Sequence, residues 1–347
     1  MKRISVALMA VVLLVMGGAN AGAQTKQHLI MFYNVENVFD TINTPGVLDD
    51  EFTPEGPKQW NSVKYWKKMA NLEKVFTSLA KDNGRFPTVI GVSEVENRNV
   101  LEDMVSMPGM LPANYQIVHY DGPDARGVDV AFFYRPDQFR LEGSKAETTI
   151  IEGKPDFRTR DILTMWGKMD GEDFMFMVAH WPSRTGGQVT SEPNRIGAAR
   201  TMRNIMDSVL VDKPHMKIVL MGDLNDDPSN KSIAEVLGAR LDMKDANEAG
   251  ELFNPFFQLH RDGYGSLAYQ DAWNLFDNII VNGNLVDSEG YRIWKPKRSK
   301  YWGFIYDKSW LKQQSGQYKG YPQRTYVGNK FENGYSDHFP VYIFIAK

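Results

Sequence analysis

The side chains of this sequence that are best suited to chemistry are a set of oxygen-bearing residues and two histidines, all beside short apolar runs. They are Asn34, Glu94, His180, Asp223, Asn225, Asp337 and His338. Carboxylate and amide oxygens are ligands that Mg2+, Ca2+ and Mn2+ accept, whereas Zn2+ and Cu2+ prefer nitrogen and sulfur. Histidine has a reference pKa of about 6.5, which suits proton transfer. The set indicates metal-assisted hydrolysis of a phosphate ester, in which an ion neutralises phosphoryl oxygens while water attacks in line.

The elements that must position these residues are indicated by hydrophobic patterning. Seven short runs rich in Val, Ile, Phe and Tyr predict buried strands. They cover residues 29–33, 88–92, 130–134, 174–179, 218–221, 278–281 and 341–345. Apolar residues at three- and four-residue steps predict one helix over 63–79, stopping at Gly84, and another over 196–209. Strands and helices within one large domain predict a layered α/β protein.

The candidate residues lie at the ends of these predicted strands or just before one of them. A polar residue after a single strand is usually the first residue of a loop, so the prediction depends on the whole set. If neighbouring strands bring these ends to one edge of the sheets, the side chains form a single cleft.

Six short motifs that contain these residues follow one another along the chain. They are Tyr-Asn-Val-Glu-Asn (33–37), Ser-Glu-Val (93–95), Ala-His-Trp-Pro (179–182), Gly-Asp-Leu-Asn (222–225), Asp-Asn-Ile-Ile (277–280) and Ser-Asp-His-Phe-Pro (336–340). In this order they resemble the motifs of the endonuclease/exonuclease/phosphatase superfamily, and the stretch 34–40 resembles its bacterial exported members. The resemblance spans about residues 29–347. It implies a four-layer α/β sandwich, in which two mixed sheets pack face to face with helices outside.

The resemblance also implies roles for the metal-side residues. Glu94 matches the principal metal-binding glutamate, and Asn34 matches an asparagine near the same ion. Asp337 matches a carboxylate beside the metal. Asp223 matches the residue that orients or activates the attacking water next to the ion, and Asn225 matches one that contacts the phosphate.

The two histidines receive different roles from the resemblance. His338 matches a histidine that contacts the phosphate, and Asp277 matches the aspartate that hydrogen-bonds it and favours its charged form. His180 matches a second histidine that assists the leaving oxygen. Asp129 stands where a carboxylate could orient His180, with a strand-edge charge as the alternative. Arg160 could clamp a phosphate oxygen, as guanidinium groups do well.

A segment between Asp277 and Asp337 departs from the motif pattern. It interleaves Trp294, Lys295, Lys297, Arg298, Lys300, Tyr301, Trp302 and Tyr306. Aromatic and basic residues together can stack bases and meet phosphates. A packed insertion with a solvated basic turn is the interpretation we favour, and nucleic-acid recognition is the alternative.

The N-terminus has the pattern of a secretory signal peptide. Lys2 and Arg3 precede an apolar run over 6–16 and small residues over 21–23. The run is shorter than the roughly 18 residues that a membrane span needs. We expect cleavage before Gln24, export to the periplasm or the medium without a stable membrane anchor, and one family-type domain over 24–347.

Composition sets limits on the protein class. A chain of 347 residues with 24% charged and 42% hydrophobic residues is neither wholly disordered nor collagen-like. The absence of cysteine excludes disulfides, thiolate metal sites and cysteine nucleophiles. A net charge of −3 gives no polycationic signature, although it is compatible with a locally basic groove.

Our leading expectation is an exported Mg2+-dependent phosphodiesterase, most simply an endonuclease-like nuclease acting as a monomer on nucleic acid or another phosphodiester. Mn2+ and Ca2+ are alternative ions. An alternative function is a phosphatase or phospholipid-type phosphodiesterase acting on inositol phosphates or sphingomyelin-like substrates. A third is a non-catalytic binding protein, whose mark would be loss of Glu94, Asp223, His180 or His338; all four are present. Fold alone does not choose the substrate.

Overall fold

The computed structural model describes residues 26–347, and the predicted signal peptide lies outside them. Eighteen strands, numbered here in chain order, and four α-helices occur in this part of the chain. No helix among the described residues combines the length and apolar character that crossing a bilayer requires. The fold is dominated by two large sheets.

The first sheet contains seven strands, both parallel and antiparallel. They are β1 (Gln27–Val38), β2 (Val89–Val95), β3 (Gln116–His119), β4 (Asp129–Tyr134), β14 (Arg292–Trp294), β15 (Gly303–Ile305) and β18 (Val341–Ala346). Their order is β14–β18–β1–β2–β4–β3, and β15 also pairs with β18.

The second sheet also contains seven strands. They are β5 (Arg140–Glu147), β6 (Ile162–Met169), β7 (Glu172–His180), β8 (Lys217–Asp223), β9 (Ala239–Arg240), β10 (Leu252–Phe253) and β13 (Asp277–Asn282), in the order β5–β6–β7–β8–β13–β10–β9. Two small hairpins are β11 (Leu267–Tyr269) with β12 (Ala272–Asn274), and β16 (Tyr326–Val327) with β17 (Lys330–Phe331).

The sheets pack face to face and helices cover their outer faces. The helices are α1 (Ser62–Asp82), α2 (Arg98–Ser106), α3 (Gln188–Asp212) and the short α4 (Phe257–Arg261). Along β1, Leu29 and Met31 pack with α1 and α2, while Ile30 and Phe32 pack between the sheets. The second sheet's outer face packs with α3. Because β1 is covered on both faces, its residues are apolar at successive positions.

The predicted four-layer α/β sandwich is therefore confirmed, and each predicted strand lies at an observed one. The first predicted helix lies within α1, whose start is capped by Asn61 accepting from the Lys64 N–H, and Gly84 follows its end at φ +67°. The second was predicted too short, because α3 begins at Gln188 and tolerates Pro193 in its early turns.

Strand register places the candidate residues at one edge of the sheets. In the second sheet, β7 and β8 run parallel with His180 opposite Asp223, and β13 places Asp277 on the other side of Asp223. In the first sheet, β1 and β2 run parallel with Asn34 opposite Ser93. The carboxyl ends of all four parallel strands thus face the same region.

Candidate active site

Asn34 at the end of the straight part of β1 connects the two sheets. Its amide nitrogen donates to Asp223 Oδ2 at 3.0 Å and to Glu94 Oε1 at 3.3 Å. Its amide oxygen accepts the Glu36 N–H at 2.9 Å, which fixes the orientation of the amide. Asn34 therefore presents nitrogen to the carboxylates. The amide orients two carboxylates, and the expected place of Asn34 beside a metal ion stays a prediction.

The Glu94 carboxylate is positioned by a break in β2. Glu94 has a φ of +64°, and the pairing of β2 with β4 shifts register between Ser93 and Val95. An irregularity of this kind redirects a side chain away from the strand's alternation and stores strain of about 1–3 kcal/mol. The Asn37 N–H donates to Glu94 Oε2 at 3.0 Å. The backbone of the motif over 33–37 therefore holds the strained Glu94 in place.

Asp223 lies between the two histidines of the site. Its Oδ2 lies 3.6 Å from His180 Nε2 and 3.7 Å from His338 Nε2. Burial raises the pKa of Asp223 to about 6, although the charge of His338 opposes this rise. A carboxylate that ionises near neutral pH therefore lies between two imidazoles.

Asn225 follows in the same loop with a φ of +50°. Its N–H donates to Asp223 Oδ1 at 3.0 Å, and its Nδ2 donates to the Trp181 carbonyl at 2.9 Å. The turn fixes the Asp223 side chain and ties it to the segment that follows His180. Its contact with a phosphate stays a prediction.

His338 forms the predicted pair with Asp277. Nδ1 of the imidazole lies 2.7 Å from Asp277 Oδ2, and Ser266 Oγ also donates to this oxygen. Burial alone would lower the pKa of His338, but the Asp277 and Asp223 carboxylates hold it well above its usual range. His338 is therefore an imidazolium with Nε2 directed towards Asp223 and Asp337.

His180 is in the opposite protonation state. Burial lowers the pKa of His180 well below its usual range, and the charges of Arg160 and Arg126 add to this effect. Its Nε2 faces Asp223 and lies 3.9 Å from Glu94 Oε1, which favours the tautomer with the hydrogen on Nε2. The neutral ring can donate a hydrogen bond to a leaving oxygen.

The expected contact between Asp129 and His180 is wrong. Asp129 Oδ2 lies 3.2 Å from His119 Nε2, and Oδ1 accepts the Gly122 N–H at 3.0 Å. The neighbouring strand β3 thus supplies the histidine that engages this carboxylate. Nδ1 of His180 is buried and has no hydrogen-bond partner among the described residues.

Arg160 is close to the site but is engaged by the protein. It donates to the carbonyls of His180 and Trp181 at 3.1 and 2.8 Å, and to Asp124 Oδ2 at 2.9 Å. All three guanidinium nitrogens have a partner, and the residue is buried. Instead of the expected contact with a phosphate oxygen, Arg160 therefore has a structural role here and fixes the end of β7.

Sequence comparison agrees with this geometry. The sequence model of the Endonuclease/Exonuclease/phosphatase family matches residues 29–347. The chain belongs to this family. Membership makes it a hydrolase of phosphate esters, as its site chemistry indicates. No curated protein matches the sequence.

Solved structures share the fold of this endonuclease/exonuclease/phosphatase family member. A family protein from Bacteroides thetaiotaomicron is 15% identical, with a TM-score of 0.53 and coverage of 93% of this chain and 98% of that one. The mannosyl-6-phosphatase of the same organism is 15% identical (TM-score 0.52; 92% and 99%). D. rerio TDP2 complexed with single strand DNA product is 12% identical (0.53; 92% and 98%). At these identities the similarity concerns the fold.

The oxygen atoms at the site of this family member fit a hard divalent cation. Glu94 and Asp223 offer carboxylate oxygens held together by Asn34, and Asp337 lies on the far side of His338. Asp223, Asp277 and His338 also place ligand-type atoms within 4.8 Å of one another. Since Asp277 is already bonded to His338, we regard that trio as an acid–base group. Glu94, Asp223 and Asp337 are the carboxylates that could hold an ion.

Motif reasoning missed a charged network that borders this family site. Arg324 donates to Asp337 Oδ2 and its Nε lies 3.8 Å from Glu36 Oε1. Lys68, fully buried on α1, lies 4.0 Å from Glu36 Oε2 and donates to Thr325 Oγ1 at 2.7 Å. Burial raises the pKa of Glu36 to about 7 and lowers that of Lys68 to about 8. The only sequence signal was a lysine within the apolar stripe of a helix.

The aromatic and basic segment after Asp277 is mainly a packed insertion, as we favoured. Trp294 on β14 packs on the first sheet's outer cluster, and Tyr301 and Trp302 pack at the inter-sheet core. Lys295 donates to the Ser299 and Lys300 carbonyls, which closes the basic turn on itself. The elements that reach the site are instead the loop and hairpin around Arg324.

Proposed function

We propose that this phosphate ester hydrolase is an exported, Mg2+-dependent phosphodiesterase with endonuclease-like activity. The main support is the convergence of Glu94, Asp223, His180 and His338, whose reactive atoms lie 3.6–3.9 Å from one another along the chain of contacts. These residues come from four different strand ends or loops; Asp223, His180 and His338 are buried and Glu94 is partly buried, and such a cluster of titratable side chains at one edge is typical of a catalytic site.

Glu94, Asp223 and Asp337 would hold the ion, with Mn2+ or Ca2+ able to use the same oxygens. A bound divalent cation neutralises phosphoryl oxygens and lowers the pKa of water. The Asn34 amide supports the site by holding Glu94 and Asp223 in a fixed relative position.

The remaining residues have complementary roles. Asp223 accepts a proton from the attacking water when ionised, since its pKa of about 6 leaves it mostly deprotonated at neutral pH. The His338 imidazolium, held by Asp277, binds the phosphate charge. His180 donates a hydrogen bond from Nε2 to the leaving oxygen. Asn225 contacts the phosphate from the loop that fixes Asp223.

A phosphomonoesterase is the second candidate. The observation in its favour is that the basic and aromatic segment over 294–306 packs into the fold, which removes the main sequence argument for a polymer-binding surface. A solved structure with this fold is a mannosyl-6-phosphatase. A small phosphate ester would need only the contacts of the site itself.

A substrate panel with the D223N variant tests the proposal. Purified protein with Mg2+ is assayed on plasmid DNA, single-stranded DNA and RNA, bis(p-nitrophenyl) phosphate, p-nitrophenyl phosphate, sphingomyelin and inositol phosphates. We expect cleavage of the diesters and loss of that activity in D223N. The matched control is D173N, because Asp173 lies on β7 at the end remote from the site and is partly exposed.

The outcomes of the panel are distinct. Cleavage of monoesters alone, lost in D223N, selects the phosphatase. Undiminished cleavage of every substrate by D223N overturns the mechanism.

Export forms part of the same proposal. It is supported by the sequence pattern of residues 1–23. Mass spectrometry of the protein from the periplasm and medium of a bacterial host tests it, and a mature N-terminus at Gln24 is expected. Recovery of uncleaved chain from the cytoplasm alone would contradict export.

A further inference from the structure

Arg324 differs from two buried arginines that lie close to the site. Arg160 and Arg195 are buried and engaged by protein groups on several nitrogens. The Arg324 side chain is 48% exposed, although it lies against Asp337 and near Glu36. Its described hydrogen bonds involve only Nη2. The Arg324 guanidinium therefore has further N–H donors available and lies at the edge of the cluster formed by Asp223, Asp337 and His338.

The guanidinium is adjacent to the reacting groups. It bonds Asp337 Oδ2, and Asp337 Oδ1 lies 3.9 Å from His338 Nε2. Burial opposes the charge of Arg324, yet Asp337, Glu36 and Glu94 together raise its pKa.

Hydrogen bonds and close packing fix the backbone around Arg324. The Thr325 N–H donates to Glu36 Oε2 at 2.6 Å, and the Gln323 N–H donates to the Leu311 carbonyl at 2.8 Å. Gly334 lies so close that a Cβ there would come within 2.1–2.2 Å of the Gln323 and Arg324 carbonyls. Contacts on both sides fix this loop.

Helix α1 secures the same loop from beneath. Lys68 Nζ donates to Thr325 Oγ1 and to the Tyr335 carbonyl at 2.6 Å, and Asn71 donates to the Gly334 carbonyl at 2.9 Å. A fully buried lysine is costly to keep charged, so its use here indicates a segment whose position matters. Simple surface loops are not supported in this way.

We propose that Arg324 is a substrate-binding residue, whose guanidinium binds a non-bridging oxygen of the scissile phosphate beside Asp337 and His338. The inference rests on the proposed function, because it assumes that the phosphate lies at the Asp223 cluster. Arginine suits this task, since its planar fork matches phosphate oxygens and stays charged at all relevant pH values. Two cationic side chains, Arg324 and His338, then bind the anion.

Substitution of Arg324 tests the inference through phosphate binding as well as turnover. We expect R324M to raise both the KM for the diester and the Ki of inorganic phosphate about 10- to 100-fold, the scale of a charge-assisted hydrogen bond. R324K keeps the charge without the fork and should lie between. The control is K330M, because Lys330 lies on β17 of the adjacent hairpin and is exposed.

A purely structural role for Arg324 predicts something else. If it serves only to orient Asp337, R324M weakens Mg2+ binding and lowers Tm while the Ki of phosphate stays unchanged; this result overturns the inference. Phosphate binding is also measured by calorimetry with Mg2+ present. A wild-type protein that binds phosphate through Arg324 but cleaves no ester would contradict the proposed function and leave this inference standing.

Discussion

At the residue scale, two histidines in one site are driven to opposite charge states by their neighbours. His338 has carboxylates on both ring nitrogens, whereas His180 has a buried Nδ1 with no partner and two nearby arginines. Environments that separate the pKa values of like groups are a mark of acid–base chemistry. The division of roles proposed here follows from that contrast.

The Asp277 carboxylate is therefore expected to be essential. In D277N the pKa of His338 should fall, because its closest charge partner is lost, and kcat/KM should fall about 10²- to 10⁴-fold. NMR titration of the His338 ring together with steady-state kinetics measures both. Asp262 is an exposed aspartate that serves as the control in D262N. A D277N protein with full activity and an unshifted His338 would refute the pairing.

Substitution of Arg160 distinguishes a structural role from a contact with the phosphate. R160M removes the hydrogen bonds to the His180 and Trp181 carbonyls and to Asp124, so we expect a loss of about 2–4 kcal/mol in the free energy of unfolding. Urea denaturation measures it. R126M is the control, since Arg126 is half exposed and lies 3.7 Å from the same Asp124. If R160M left the free energy of unfolding unchanged and raised the KM, Arg160 would be a phosphate-binding residue instead.

The limits of sequence reasoning at this scale have a physical cause. Asp277 and His338 were paired correctly on motif resemblance, and the structure confirms their contact. Asp129 was misassigned, because hydrogen-bond choice depends on which neighbour is nearer in space, and His119 across the strand pair is nearer. Arg324 was missed since a lone arginine in a loop has no pattern. Its importance arises from contacts with α1 and Asp337.

At the scale of elements, strands were predictable wherever burial on both faces produced a continuous apolar run. Strand β5, with charged residues and an exposed face at the sheet edge, had no such run and was not predicted. The first turns of α3 were missed because residues 188–195 lack the apolar spacing of the later turns. Local pattern therefore located seven strands, but it missed the internal strand β6, whose apolar run is broken by Thr164, Gly167 and Lys168, and it missed helix starts that depend on tertiary packing.

Glu96, directly after β2, is a pH-sensitive carboxyl that bonds the loop following β1. Glu96 accepts from the Asp40 N–H at 2.6 Å and from Thr44 Oγ1 at 3.1 Å. Burial raises its pKa from 4.5 to about 7, so the folded state holds the proton more tightly than the unfolded state. The stability this provides is complete below pH 4.5 and disappears as the pH rises through 7.

Relative to E96Q, the wild type should therefore lose on the order of 2 kcal/mol of unfolding free energy between pH 5 and 8. Urea denaturation of both proteins across this range gives the difference curve, in which other titrating groups cancel. E102Q is the control, because Glu102 on α2 is exposed and pairs only with Arg98. A flat difference between wild type and E96Q would contradict the raised pKa.

At the scale of the whole molecule, the geometry of the site depends on the distance between the two sheets. Glu94 belongs to one sheet and Asp223 to the other, and Asn34 connects them. Deeper in the core the sheets approach closely at Gly91 on β2, where a Cβ would lie 2.5 Å from Met221 Sδ and 3.1 Å from Val178 Cγ2. No sequence pattern could predict this approach, since it joins residues far apart in the chain.

G91A tests whether this contact sets the geometry of the site. The added methyl group must push β8 away, so we expect a loss of about 1–3 kcal/mol in stability and weaker Mg2+ binding, because Glu94 and Asp223 follow on the same strands. M221A removes the clashing sulfur, so G91A/M221A should be more stable than the sum of the single variants by about 1 kcal/mol or more. Denaturation and calorimetry measure both quantities. Strictly additive energies with unchanged Mg2+ affinity would show that the sheets adjust independently and that the site's spacing has another origin.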